Sequence, residues 1–111
     1  MNINFFHNEY EELYYAIASK TEFSSIQEFR EAFIDKHSMY LFPDEIINYP
    51  LTPHSFCEIK NWYIYLAEGR IQPVFENDIH FALLIAFQWD TKCIVAELED
   101  KYIGQLWITQ A

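Results

Sequence analysis

His54, Cys57 and Glu58 are the residues of this chain whose types and spacing come nearest to chemistry, standing at i, i+3 and i+4 in "TPHSFCEIK". On a helix that spacing puts an imidazole, a thiol and a carboxylate on one face, where they could converge on a metal ion. A structural zinc needs a fourth ligand, and neither His80 nor Cys93 brings a second paired motif, so no metal or other cofactor is expected. Cys57 then reads as core and His54 as a first-turn surface residue. The four histidines, His7, His37, His54 and His80, could also pair with carboxylates for acid–base work. Nucleophilic catalysis finds less support: there is no Gly-x-Ser-x-Gly, and Gly69 and Gly104 are the only glycines, which also excludes a glycine-rich phosphate cradle.

Carboxylates are abundant: Glu76 with Asp78, and Glu97 with Glu99 and Asp100, form local pairs. Seventeen Asp and Glu against seven Lys and Arg give a formal net charge of −10. That field repels free nucleic acid and anionic membrane surfaces and attracts a basic partner. A nuclease would need cations to hold phosphate, so the same balance argues against one. The chain is therefore expected to be a binder and not an enzyme.

The elements that must position these groups follow from periodicity and caps. With 51% hydrophobic and 19% aromatic residues in 111, one domain over residues 1–111 with a single core is expected. Tyr10, Leu13, Tyr14 and Ile17, behind Asn8 and Glu11 as a capping-box pair, predict a helix over 8–20. Ser25 and Glu28 open a second over 24–37, with Ile26, Phe29 and Phe33 inward and Lys36 and His37 at its negative end. Thr52, Pro53 and Gly69 bound a third over 52–69. Residues 38–51 read as a connection with a short helical turn at "DEII".

Residues 79–89, 93–98 and 102–109 are rich in β-branched and aromatic types and are separated by "DTK" and "EDK", so they predict a three-stranded antiparallel meander. The expected fold is thus α+β, three N-terminal helices packed on a C-terminal three-stranded meander. Alternation assigns Phe81, Leu83, Ile85, Phe87, Trp89, Ile94, Ala96, Leu98, Tyr102, Leu106 and Ile108 to the core face. The other face holds Cys93, Val95, Glu97, Ile103, Gln105 and Trp107, too apolar for open water. A helix could cover it, or it could meet a partner or a second copy, with Trp107 as anchor and Gln88, Gln105 and Glu97 as rim.

Cys57 and Cys93 make no disulfide framework and read as buried thiols of a reduced compartment. "MNINFFHNEY" lacks the pattern of a signal peptide, and the longest apolar run, "FALLIAF", is far short of a membrane span, so a cytoplasmic protein is expected.

Small, acidic, aromatic-rich and without catalytic furniture, the chain resembles the immunity proteins of bacterial contact-dependent growth inhibition. The resemblance is one of whole-chain character and carries no residue over. It implies a protein that binds one cognate toxin domain, commonly a basic nuclease, and blocks its substrate site. The surface expected to do so comprises Glu76, Asp78, Trp89, Asp90, Glu97, Glu99, Asp100 and Trp107. The alternatives are a homodimeric acidic scaffold or adaptor, and a small acid–base hydrolase.

Overall fold

A computed structural model describes residues 1–110. Its frame is one six-stranded, wholly antiparallel sheet in the order β1-β2-β6-β5-β4-β3. The strands are β1 Asn2–His7, β2 Glu11–Ser19, β3 Tyr49–Leu51, β4 Ile79–Gln88, β5 Thr91–Leu98 and β6 Lys101–Thr109. Helix α1, Ile26–Lys36, lies on one face, and α2, Pro53–Tyr63, extended by a 3-10 turn at Ile64–Ala67, lies on the other. The expected meander is present as β4-β5-β6. The expected three-helix layer is not: the fold is mostly sheet, with two short helices on opposite sides.

The segment 8–20 accounts for the difference. Leu13, Tyr15 and Ile17 turn toward α2 while Tyr14, Ala16 and Ala18 turn toward α1, an alternation that burial on both faces rewards over the helical stripe. Asn8 does accept as a cap would, but at a hairpin, and its side-chain amide rather than its backbone N–H donates to the Glu11 carboxylate, at 3.2 Å. The Asn8 Oδ1 accepts from the backbone N–H of Tyr10 and Glu11, both at 2.9 Å, and turns β1 into β2. Side chain-to-backbone bonds of this kind serve tight turns as well as helix starts.

The other two helices begin where their caps predict. Ser25 Oγ accepts from Glu28 N, and Thr52 Oγ1 accepts from Ser55 N at 3.1 Å, with Pro53 in the first turn. The Glu28 carboxylate accepts from the backbone N–H and hydroxyl of Ser24, one residue earlier than a simple box would have it. The short turn in the connection falls at Pro43–Glu45, and Gly69 follows α2 at φ 78. No helix among the described residues is long and apolar enough to cross a membrane.

Pairing registers correct the expected faces. Leu83, Val95 and Gly104 align in one row toward α1, and Ala82, Ala96 and Ile103 in the next row toward α2. Ile94, Ala96 and Leu98 therefore point away from Leu83, Ile85, Tyr102 and Leu106, the reverse of the grouping that simple alternation suggested. Irregularities between Ile79 and Phe81 and between Leu84 and Ala86 shift β4 further, leaving Ile85 and Ala86 both in the α1 core. A period of two gives each strand two faces, but only the register says which faces of neighbours coincide.

The α1 side packs where β6 has no side chain. Gly104 faces the ring of Phe33, and a Cβ placed there would stand 3.2 Å from three of its atoms. Phe33 is fully buried and held between Phe29 and His37, so the ring has little room to retreat. Gly104→Ala is expected to destabilise by about 1–3 kcal/mol through overpacking, and Gly104→Val by more, as read from urea midpoints.

His37 closes α1 and is itself buried against Phe33 and Tyr14, with its Nε2 lacking a partner. Burial, with the neighbouring Lys36 charge, pushes its pKa down to about 4. The folded value thus lies below the unfolded one near 6.5, so the stabilising contribution is complete above about pH 6.5 and is lost as pH falls toward 4. Between pH 7 and pH 4.5 the protein should lose up to about 3 kcal/mol more stability than His37→Leu does. Equal pH slopes in urea unfolding would refute this.

A ridge between two acidic hollows

The expected partner-binding residues divide into three groups. Trp107 is 7% exposed and belongs to the α2-side core, stacked on Tyr63 at 4.2 Å. Its indole N–H donates to Glu11 Oε2 at 2.9 Å, and Tyr65 donates to the same carboxylate at 2.5 Å. Burial works to raise the pKa of Glu11, but the hydrogen bonds from Tyr65, Trp107 and Asn8 hold it below its ordinary value. Trp107 is therefore a core residue that ties β6 to β2 and α2, and not an exposed anchor. Gln105, expected on a polar rim, is likewise buried, its amide donating to the Lys60 carbonyl at 3.2 Å. Both corrections have one cause: α2 covers the face on which a partner or second copy was expected.

Trp89 and Asp90 make the two-residue turn between β4 and β5, at the end of the strands opposite Glu99 and Asp100. Trp89 is 72% exposed, but a whole strand length separates it from the other acids. Glu97 projects toward the α1 side, where its carboxylate meets Lys20 at 2.5 Å.

Glu76, Asp78, Glu99 and Asp100 form the group that does converge. A 3-10 turn over Glu76–Asp78 leads directly into β4 and stands beside the tip of the β5–β6 hairpin. The Asp78 carboxylate accepts from the Phe75 N–H at 2.9 Å and fixes this turn as a ridge. On one side of it lies a hollow of about 340 Å³ whose lining includes Asp78, His80, Glu99, Asp100 and Lys101. His80 Nε2 lies 3.2 Å from Glu99 Oε2 there.

On the other side a second hollow, about 290 Å³, opens between the ridge and α2. Here His54 Nδ1 is 2.6 Å from Glu76 Oε1, and its Nε2 is 3.4 Å from Glu58 Oε2. The hydrogen bond and charge of Glu76, with a smaller contribution from Glu58, raise the His54 pKa above its usual value. Cys57 does not join them: its thiol points to the Val74 carbonyl, and burial pushes its pKa up. Among the described residues no group of three His, Cys, Asp or Glu side chains is placed to hold a metal ion. Cys93 is also a buried free thiol.

Sequence reasoning missed Phe75, which heads the ridge and is 68% exposed. An aromatic two residues after Pro73 and directly before an acidic turn was a visible signal of an exposed position, but it lay between the expected elements. Each hollow pairs a histidine with a carboxylate, as an acid–base site would. Among the described residues, however, no serine or cysteine is hydrogen-bonded to either histidine.

Glu76→Gln removes the main support for the proton on His54, so the His54 pKa should fall back toward its ordinary value. Histidine ring titration by NMR reads it, and an unmoved His54 would contradict the geometry. The chain matches no protein-family model, no curated protein and no solved structure.

Proposed function

We propose that this chain is an immunity protein of the contact-dependent growth inhibition type, acting in the cytoplasm without catalysis of its own. It binds a basic toxin domain, of the kind a nuclease presents around its active site, and covers that site. The observation that carries this reading is the meeting of two acidic segments, 76–78 and 99–100, around one hollow beside the exposed Phe75. Asp78, Glu99 and Asp100 face a single lysine there, Lys101, so the local charge has the sign of the whole chain.

The physics suits inhibition. A nuclease gathers cations to hold phosphate, and an inhibitor offering carboxylates competes for the same positions. Charge complementarity speeds encounter, whereas a desolvated aromatic such as Phe75 holds the complex once formed. The sheet face once available to a second copy is occupied by α2.

Capture of the tagged protein from lysate of its own cells should yield a basic domain whose toxicity the pure protein suppresses. Glu99→Lys with Asp100→Lys should then slow association by roughly tenfold and flatten its salt dependence, with a smaller effect on dissociation. Phe75→Ala should chiefly speed dissociation, by an amount on the order of tenfold or more. Suppression of no captured domain, or unchanged kinetics in both variants, would overturn the reading.

A further inference from the structure

The hollow beside α2 has a composition of its own. His54, Glu58, Asn61 and Trp62 follow one another along the outer face of the helix, and Glu76 comes across from the ridge. Trp62 is half exposed, and the ring of Phe87 on β4 braces it at 6.4 Å. At about 290 Å³ the space has room for one long side chain.

Its chemistry is that of a receptor for a flat cation. An indole face attracts a guanidinium, and carboxylates at its edge take the N–H fork. None of the chain's own lysines or arginines lines the hollow: Lys60 is buried beneath α2, and Lys92 lies over Phe87 and Trp107. Two carboxylates whose only basic neighbour is the His54 ring, beside a half-exposed indole on a chain of net charge −10, suit a cation from outside. A lysine would bring a point charge without the planar fork or the stacking surface.

We propose that the hollow between α2 and the 76–78 ridge docks an arginine side chain of a basic protein partner, its guanidinium on the Trp62 indole and against Glu58 and Glu76. The assignment rests on the reading that the partner is basic, and adds where that partner is gripped and by which residue. His54 competes for the same carboxylates. Its ring lies between Glu58 of its own helix and Glu76 of the ridge, and its protonated form answers both. Of the other titratable groups nearby, Cys57 is buried and points to Val74, Asp78 is engaged at Phe75, and Lys60 lies beneath the helix. The socket is therefore open to arginine when His54 is neutral and closed when it is charged.

The test uses the whole protein and no toxin. Acetyl-Gly-Arg-Gly-amide is titrated in while NMR follows the indole N–H signals of Trp62, Trp89 and Trp107. The Trp62 signal should move saturably, in the millimolar range suited to a single side chain. Apparent affinity should be about tenfold weaker at pH 5.5 than at pH 8, because Glu76 holds the His54 pKa above its usual value and the lower pH protonates the ring. Glu58→Gln with Glu76→Gln should abolish the response, and acetyl-Gly-Lys-Gly-amide should bind several-fold less tightly.

Absence of a saturable Trp62 shift, an equal response in the double variant, equal binding of the lysine peptide, or a larger shift at Trp89 would each overturn the assignment. None of these outcomes touches the effect of Glu99→Lys with Asp100→Lys on toxin association, so the two readings fail separately.

Discussion

The pairing of β6 with β2 is the constraint on which the rest of the molecule depends. Nine residue pairs, from Glu11 with Thr109 to Ser19 with Lys101, join the N-terminal hairpin to the C-terminal meander. Without that ladder the two parts would be a two-stranded ribbon and a small sheet, each with its apolar sides open to water. With it, β6 becomes an interior strand buried on both faces. The helices are then placed by what β6 offers: the space above Gly104 admits Phe33 of α1, and Gln105 and Trp107 receive Lys60 and Tyr63 of α2.

The ridge depends on the same frame. Its backbone runs straight into β4, and the carboxylates beside it ride on the β5–β6 turn, so both acid groups are carried by strands held near the middle of the sheet. Placement on rigid elements gives a binding surface a fixed geometry with little ordering cost on association. Two histidines lie one to each side, each against a carboxylate, and Glu76 raises the pKa of His54 above its usual value.

Much of this was readable from residue types alone, and the gaps have physical causes. Thr52 and Ser25 mark helix starts because each side-chain oxygen accepts from a first-turn N–H, and Pro53 adds a residue whose missing N–H costs nothing there. The three C-terminal strands were legible from their β-branched and aromatic runs and the short "DTK" and "EDK" separators, though the turns themselves fall at 89–90 and 99–100. Residues 8–20 were not, because the Asn8 side chain accepts from the Glu11 N–H at this hairpin as it would at a helix start, and Tyr10, Leu13, Tyr14 and Ile17 satisfy a helical stripe by coincidence. β1 and β3 carry too few residues of strong pattern to announce themselves, and exist because a neighbour offers an edge. At the site, the acids of 76–78 and 99–100 were found by charge. Trp107 was misplaced because its partner, Glu11, lies 96 residues away, a contact that no local pattern encodes.

The position of β6 also bears on how the protein is made. The innermost strand is the sixth of six in chain order, so a ribosome has released the outer strands and both helices before the piece that unites them emerges. At about 5–20 residues per second the earlier segments wait for several seconds with aromatic surfaces exposed. Most of the decisive contacts then close late and across long stretches of chain, a regime of slow folding in which chaperones matter. On the reading proposed above this sets a delay: protection against a toxin would have to come from molecules finished in advance, held as a standing reserve.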